Sequence, residues 1–171
     1  MGDVWPDRLD LPLTGGSLAA ISEDDWPIEY ALSRDAEVTR WTFYPASMTK
    51  TQARDRCRSF VTRAREGRSF RWVISTGDGV RAGTCGAAPR GDSVDLFYAV
   101  LSEHRGRGLA TDAVGALARS ASQLSLSPQL AIEPENSAST RVAVRAGFAS
   151  NRERREPDGV LVRIWERSVT T

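Results

Sequence analysis

The chain has 171 residues, with 23 Lys and Arg against 22 Asp and Glu and a formal net charge of +1. That length suits one domain with a sizeable core, and the balanced charge argues against recruitment of nucleic acid or an anionic membrane surface by bulk electrostatics. No apolar run approaches the roughly 18 residues needed to span a bilayer, no basic-then-apolar leader opens the chain, and Cys57 and Cys85 lack metal-ligand spacing and read as small buried residues; a cytoplasmic protein without a metal is expected.

Met1 to Gly16, rich in Pro, Asp and Gly and without periodicity, reads as an arm or a loosely docked strand, a segment able to close a homodimer. A single domain is expected over residues 17–171. Ser17 to Ile21 suits a short strand, and Ser22 with Asp25 three residues on resembles a capping box opening a helix through about Arg34. Thr49 or Thr51 caps a second helix through Glu66, stopped by Gly67, with Ala53, Cys57, Phe60, Val61 and Ala64 on one face. Its other face carries Arg54, Arg56, Arg58, Arg63 and Arg65 and reads as solvated. Between these helices Trp41, Phe43, Tyr44 and Pro45 fall in an expected loop, where the rings either cover the core or wall a pocket.

Phe70 to Ser75 and Val80 to Ala87 are strand-like and joined by Gly77-Asp78-Gly79, which suits a hairpin turn. Ser93 to Leu101 is a third strand of this group. A helix follows from Gly108, with Leu109, Ala113, Leu117, Ala118, Ala121 and Leu124 on one stripe. Gln129 to Ile132 is a short strand, and Ser137 or Ala138 to Ala146 a helix ended by Gly147. Phe148 onward, with Val160 to Val169, forms a last hairpin turned at Asp158-Gly159. Antiparallel strands followed by a strand, helix and strand predict an α+β fold with a mixed, mostly antiparallel central sheet flanked by helices.

Function concentrates in His104-Arg105-Gly106-Arg107-Gly108-Leu109-Ala110-Thr111. A strand, a turn rich in Gly and Arg, and a helix together make a seat for a diphosphate, because the first free N–H groups of the helix converge and its dipole favours negative charge. Glycines let a ligand approach the backbone, and arginines offer forked donors to phosphate oxygens. The Lys-Ser/Thr that completes an ATP-binding loop is absent, which argues against a nucleotide triphosphate. A second motif, Glu133-Pro134-Glu135-Asn136-Ser137-Ala138-Ser139-Thr140-Arg141-Val142-Ala143-Val144-Arg145-Ala146-Gly147-Phe148, follows the next strand.

These two stretches, with SLAAISEDDWPIEYALSRDAEVTRW from Ser17 to Trp41 and the strand Asp95 to Val100, resemble the GNAT superfamily of acyl-CoA N-acyltransferases, its RimJ/RimL-type branch above all. The resemblance implies acetyl-CoA as donor, a primary amine as acceptor and direct attack in a ternary complex. It implies a pyrophosphate on Arg105, Gly106, Arg107, Gly108, Leu109 and Ala110. The pantetheine arm would lie along a splayed strand, on backbone groups of Val100 and Leu101, one of which could polarise the thioester carbonyl. Asn136 and Ser139 match the Asn-x-x-Ser that reaches the cofactor in the family, with a plain helix cap as the alternative and Ser139 a candidate proton donor to the thiolate. Asp95 falls where an acidic residue is frequent and is the candidate base, with a plain strand-end carboxylate as the alternative. Trp41, Tyr44 and Tyr98 are the candidate acceptor-binding residues, Tyr98 facing either site or core. The general-acid tyrosine that many members place near the last helix is missing, and His104 sits at the wrong end of the donor to act as base. Two alternatives follow: a different donor such as succinyl-CoA, held near Arg40 and Trp41, and a CoA-binding module without catalysis.

Overall fold

The computed structural model describes residues 5–167, and an eight-stranded sheet organises them. Its strands are β1 (Arg8–Leu11), β2 (Gly16–Ala20), β3 (Phe70–Ser75), β4 (Arg81–Arg90), β5 (Ser93–Val100), β6 (Ser127–Ile132), β7 (Ala149–Arg155) and β8 (Leu161–Glu166). Their spatial order is β1-β2-β3-β4-β5-β6-β8-β7, antiparallel throughout except between β5 and β6. The helices are α1 (Trp26–Leu32), α2 (Ala36–Trp41), α3 (Lys50–Arg65), α4 (Leu109–Gln123) and α5 (Ser137–Arg145).

Alternation along the strands sorts side chains between two cores, because successive residues of a strand point to opposite faces. Trp72 and Ile74 of β3 join Leu96 of β5 and the α4 residues Val114, Leu117, Ala118 and Ala121 in the larger core. Val73 and Ala99, on the opposite face, join Ile28, Leu32, Cys57 and Phe60 of α1 and α3. Thr49 caps α3, its hydroxyl accepting from the Gln52 N–H at 3.2 Å. At α1 the Asp25 carboxylate accepts from both the N–H and the hydroxyl of Ser22.

Four features refine or correct the sequence expectation. Of the two readings of the opening segment, residues 5–16 take the docked strand and not the arm: β1 pairs with β2 along its length, and Trp5 and Leu11 are buried in the larger core. The turn into β2 is tied to α4, where buried Asp112 Oδ2 accepts from the N–H groups of Leu13 and Thr14 and from the Thr14 hydroxyl, at 2.9 to 3.0 Å. Residues 36–41 form α2 rather than a loop, with Asp35 as its N-cap. The arginine face of α3 is not wholly solvated, because Arg56 turns inward to fully buried Glu29, with Nε 2.8 Å from Oε2. Met1 to Val4 and Val169, which the sequence assigned to the arm and the last strand, lie outside the described residues.

Candidate active site

β5 and β6 are paired only through Ser93–Asp95 against Ser127–Gln129. Beyond that they part, and among the described residues Leu96–Val100 has no neighbouring strand on that side. On the other side the Leu101 N–H donates to the Ala82 carbonyl at 2.9 Å. Alternation of backbone direction therefore turns the main-chain groups of Tyr98 and Val100 into the gap. Leu101, expected to contribute its N–H, is already paired with β4.

The gap opens onto the start of α4. Its N-cap is Gly108, in the left-handed region at φ 82°, so no side chain caps the helix and the N–H groups of its first turn are open. Gly106 also has a positive φ, 74°, and a Cβ added there would meet nothing within 4 Å. A cavity of about 370 Å³ lies here, bounded by Val100, Gly106, Gly108 and Ala110 on one side and by Ala138, Arg141, Val142 and Arg145 of α5 on the other. Leu109 is buried in the larger core and also lines this cavity.

Of the two loop arginines, only Arg105 lines the cavity. The Arg105 guanidinium is committed: Nη2 lies 2.6 Å from Asp35 Oδ1, and Nε donates to the Val100 carbonyl at 3.0 Å. Asp35 also accepts from the N–H groups of Glu37, Val38 and Ser102. Burial acts to raise its pKa, but the Arg105 bond and charge with those N–H groups outweigh it and hold the carboxyl below the usual range. Arg107 is exposed and does not line the cavity. His104 lines it, with Nδ1 buried and unpartnered among the described residues.

A second cavity, of about 570 Å³, adjoins the first, and Trp41, Thr42, Tyr98, Asn136 and Ser139 line both. At this junction the Tyr98 hydroxyl donates to Ser139 Oγ at 2.9 Å. Ser139 is held in turn by Asn136, the N-cap of α5, whose side-chain oxygen accepts the Ser139 N–H at 3.0 Å. Burial, partly offset by the Ser139 bond, pushes the Tyr98 pKa up to about 12, so the phenol stays protonated. A serine hydroxyl that accepts from Tyr98 keeps its own proton free to donate into the cavity.

Aromatic and carboxylate groups share the second cavity. Trp41, Phe43 and Phe97 contribute to one wall, with Arg40 stacked 4.5 Å above the Trp41 ring. Tyr44 does not belong to this wall: it is buried in the smaller core, its hydroxyl bonded to Glu29 at 2.7 Å and Thr84 at 2.8 Å. Asp95 lines the cavity but is ion-paired with Arg90 and accepts from Gln129 Nε2 at 2.7 Å. Glu156 is paired with Arg154, and Asp158 accepts the Val160 N–H of its own turn. Glu133, just past the end of β6, lines the cavity with no side-chain partner among the described residues. The sequence reading passed over Glu133, Arg141 and Arg145. The spacing of Ala138, Arg141, Val142 and Arg145, which share one helical face, is the signal for the two arginines; Glu133 has no such signal.

Comparison with known proteins gives a match to the family model described as acetyltransferase (GNAT) domain over residues 17–149. Comparison with curated protein sequences gives no match. Among solved structures, the microcin C7 self-immunity acetyltransferase MccE in complex with acetyl-CoA and AMP is similar at TM-score 0.83 and 12% identity, over 96% of this chain and 98% of that one. The ribosomal L7/L12 alpha-N-protein acetyltransferase RimL in complex with coenzyme A gives 0.79 and 17%, over 89% and 93%. Mycobacterium smegmatis RimJ in complex with CoA-disulfide gives 0.77 and 24%, over 95% and 87%. At these identities the likeness establishes the fold.

Proposed function

The chain belongs to the GNAT acetyltransferase family, and from that premise we propose that it transfers an acetyl group from acetyl-CoA to a primary amine, in the manner of the RimJ/RimL-type branch. The observation that carries this reading is the parting of β5 from β6 in front of the glycine-capped start of α4, with two cavities meeting at Tyr98 and Ser139.

The first cavity suits the donor. Open N–H groups at the start of α4 favour a diphosphate, and the gap-facing backbone groups of Tyr98 and Val100 suit the amides of a pantetheine arm. An N–H aimed at the carbonyl oxygen where negative charge develops is typically worth about 3 to 4 kcal/mol. The second cavity suits the acceptor, with Trp41 at the boundary between the two. The amine nitrogen bonds to the carbonyl carbon, the carbon–sulfur bond breaks, and one proton leaves nitrogen while another reaches sulfur.

Glu133, without an ion partner, takes the proton from nitrogen in preference to Asp95, whose carboxylate is engaged by Arg90 and Gln129. Ser139, oriented by Tyr98 and Asn136, hydrogen-bonds the departing sulfur. Tyr98 thus fills from β5 the place left by the tyrosine missing near α5, which weighs against a CoA-binding module without catalysis. Cys57 and Cys85 are both free and buried, in keeping with a cytoplasmic location.

Calorimetric titration with acetyl-CoA, CoA, succinyl-CoA and ATP, followed by release of CoA in the presence of amines, tests the reading. Micromolar binding of acetyl-CoA without ATP binding is the expected result. A folded protein that binds no CoA species would overturn it, and tighter binding of succinyl-CoA would redirect the donor assignment toward the Arg40 region.

A further inference from the structure

Arg141 and Arg145 stand one turn apart on α5 and line the donor cavity, and among the described residues neither is paired with a carboxylate. Their setting contrasts with that of the loop arginines. Arg105 is neutralised by Asp35 and Arg107 does not line the cavity. The positive charge available to a ligand there comes from α5.

The direction of α5 says which part of the ligand it meets. Ser139, near its beginning, is bonded to Tyr98 at the junction of the two cavities, where the thioester belongs. Arg145 lies six residues further on, about 9 Å along the helix at 1.5 Å per residue, and borders the same cavity as Gly106 and Ala110. Arg141, whose Nη1 donates to Ser137 Oγ at 3.4 Å, stays nearer the start of the helix, so Arg145 is the one of the pair nearer the distal end of the donor. Backbone N–H groups at the start of α4 already serve a diphosphate, whereas a phosphomonoester carrying nearly two negative charges calls for unneutralised guanidinium groups.

We infer that Arg141 and Arg145 form a subsite for the 3′-phosphomonoester of coenzyme A, so that this chain distinguishes CoA from 3′-dephospho-CoA. The assignment rests on the acetyl-CoA reading above, and its test separates the two. CoA and 3′-dephospho-CoA are titrated into the parent protein, Arg141→Gln, Arg145→Gln and the double variant, with circular dichroism to confirm folding. Both positions are exposed, so the variants are expected to fold; a conservative pair, Arg141→Lys and Arg145→Lys, keeps the test available if the glutamines do not.

The parent should bind CoA about tenfold more tightly than 3′-dephospho-CoA, the size of one charge-assisted hydrogen bond. The double glutamine variant should lose that preference by weakening CoA alone, and the lysine pair should recover part of it. Equal affinity of the parent for both ligands would overturn the subsite. So would a preference that survives in the double variant, or an equal loss for both ligands, which would place the arginines on the diphosphate. Failure of the parent to bind either ligand would overturn the donor reading itself.

Discussion

Asp35 is the joint between α2 and the glycine loop before α4, and removing it tests whether that joint matters. Its side chain, 7% exposed, caps α2 through the N–H groups of Glu37 and Val38, accepts from the Ser102 N–H and pairs with Arg105. Loss of a helix cap costs about 1 kcal/mol, and the Ser102 and Arg105 bonds add about 1 kcal/mol each at a partly exposed site. Asp35→Ala should therefore lose about 2 to 3 kcal/mol. For a domain of this size that is a fall in Tm of about 5 to 10 °C. Asp35→Asn keeps an amide oxygen for the cap and loses the charge, so about half that fall is expected.

The pH dependence fixes the sign. Because the folded-state pKa of Asp35 is lowered, its charge contributes stability above the unfolded pKa of about 4. That contribution is lost as pH falls through the folded value. The difference in Tm between the parent and Asp35→Asn should be constant above about pH 5 and narrow on further acidification, read by thermal unfolding monitored by circular dichroism at several pH values. A Tm for Asp35→Ala within 2 °C of the parent, or a parent–Asn difference that does not narrow in acid, would refute the reasoning.

Arg56→Ala strands the buried Glu29 carboxylate with Tyr44 as its remaining side-chain donor, and denaturant unfolding should show a loss of about 3 to 5 kcal/mol. The double change Glu29→Leu with Arg56→Leu should recover much of it, since no charge is then buried. Tyr98→Phe leaves Ser139 in place but unoriented; kcat for acetyl transfer should fall about tenfold to a hundredfold, with calorimetric affinity for acetyl-CoA unchanged. Glu133→Gln should lower kcat/KM by at least tenfold more than Asp95→Asn does, read by release of CoA; the opposite order of the two losses would return the base to Asp95.

The elements and their ends were largely legible in the sequence because local chemistry sets them: Thr49 caps α3, Gly108 starts α4, and Gly147 lies just past α5. The stripe of α4 signalled its packing on the sheet in the same way. What stayed hidden depends on partners distant in sequence. Arg105 reads as a phosphate ligand until Asp35, 70 residues earlier, is seen beside it. Arg56 reads as a surface cation until Glu29 is found beneath it, and Tyr44 as a loop aromatic until Glu29 and Thr84 bind its hydroxyl. Tyr98 could face site or core because strand alternation gives two faces without saying which is occupied; it packs against the larger core and also lines both cavities, bonded to Ser139 41 residues on. α2 escaped notice because six residues make too short a periodic signal, although Asp35 before it is a good N-cap.

The bonds from Leu13 and Thr14 to Asp112 also bear on how the chain is made. They close a span of 98 to 99 residues, so during synthesis β1 and β2 leave the ribosome long before the helix that holds them. At roughly 5 to 20 residues per second that wait lasts several seconds, with Trp5 and Leu11 still lacking the α4 part of their core. A nascent chain arrested before residue 112 should therefore expose its first hairpin to chaperones and proteases.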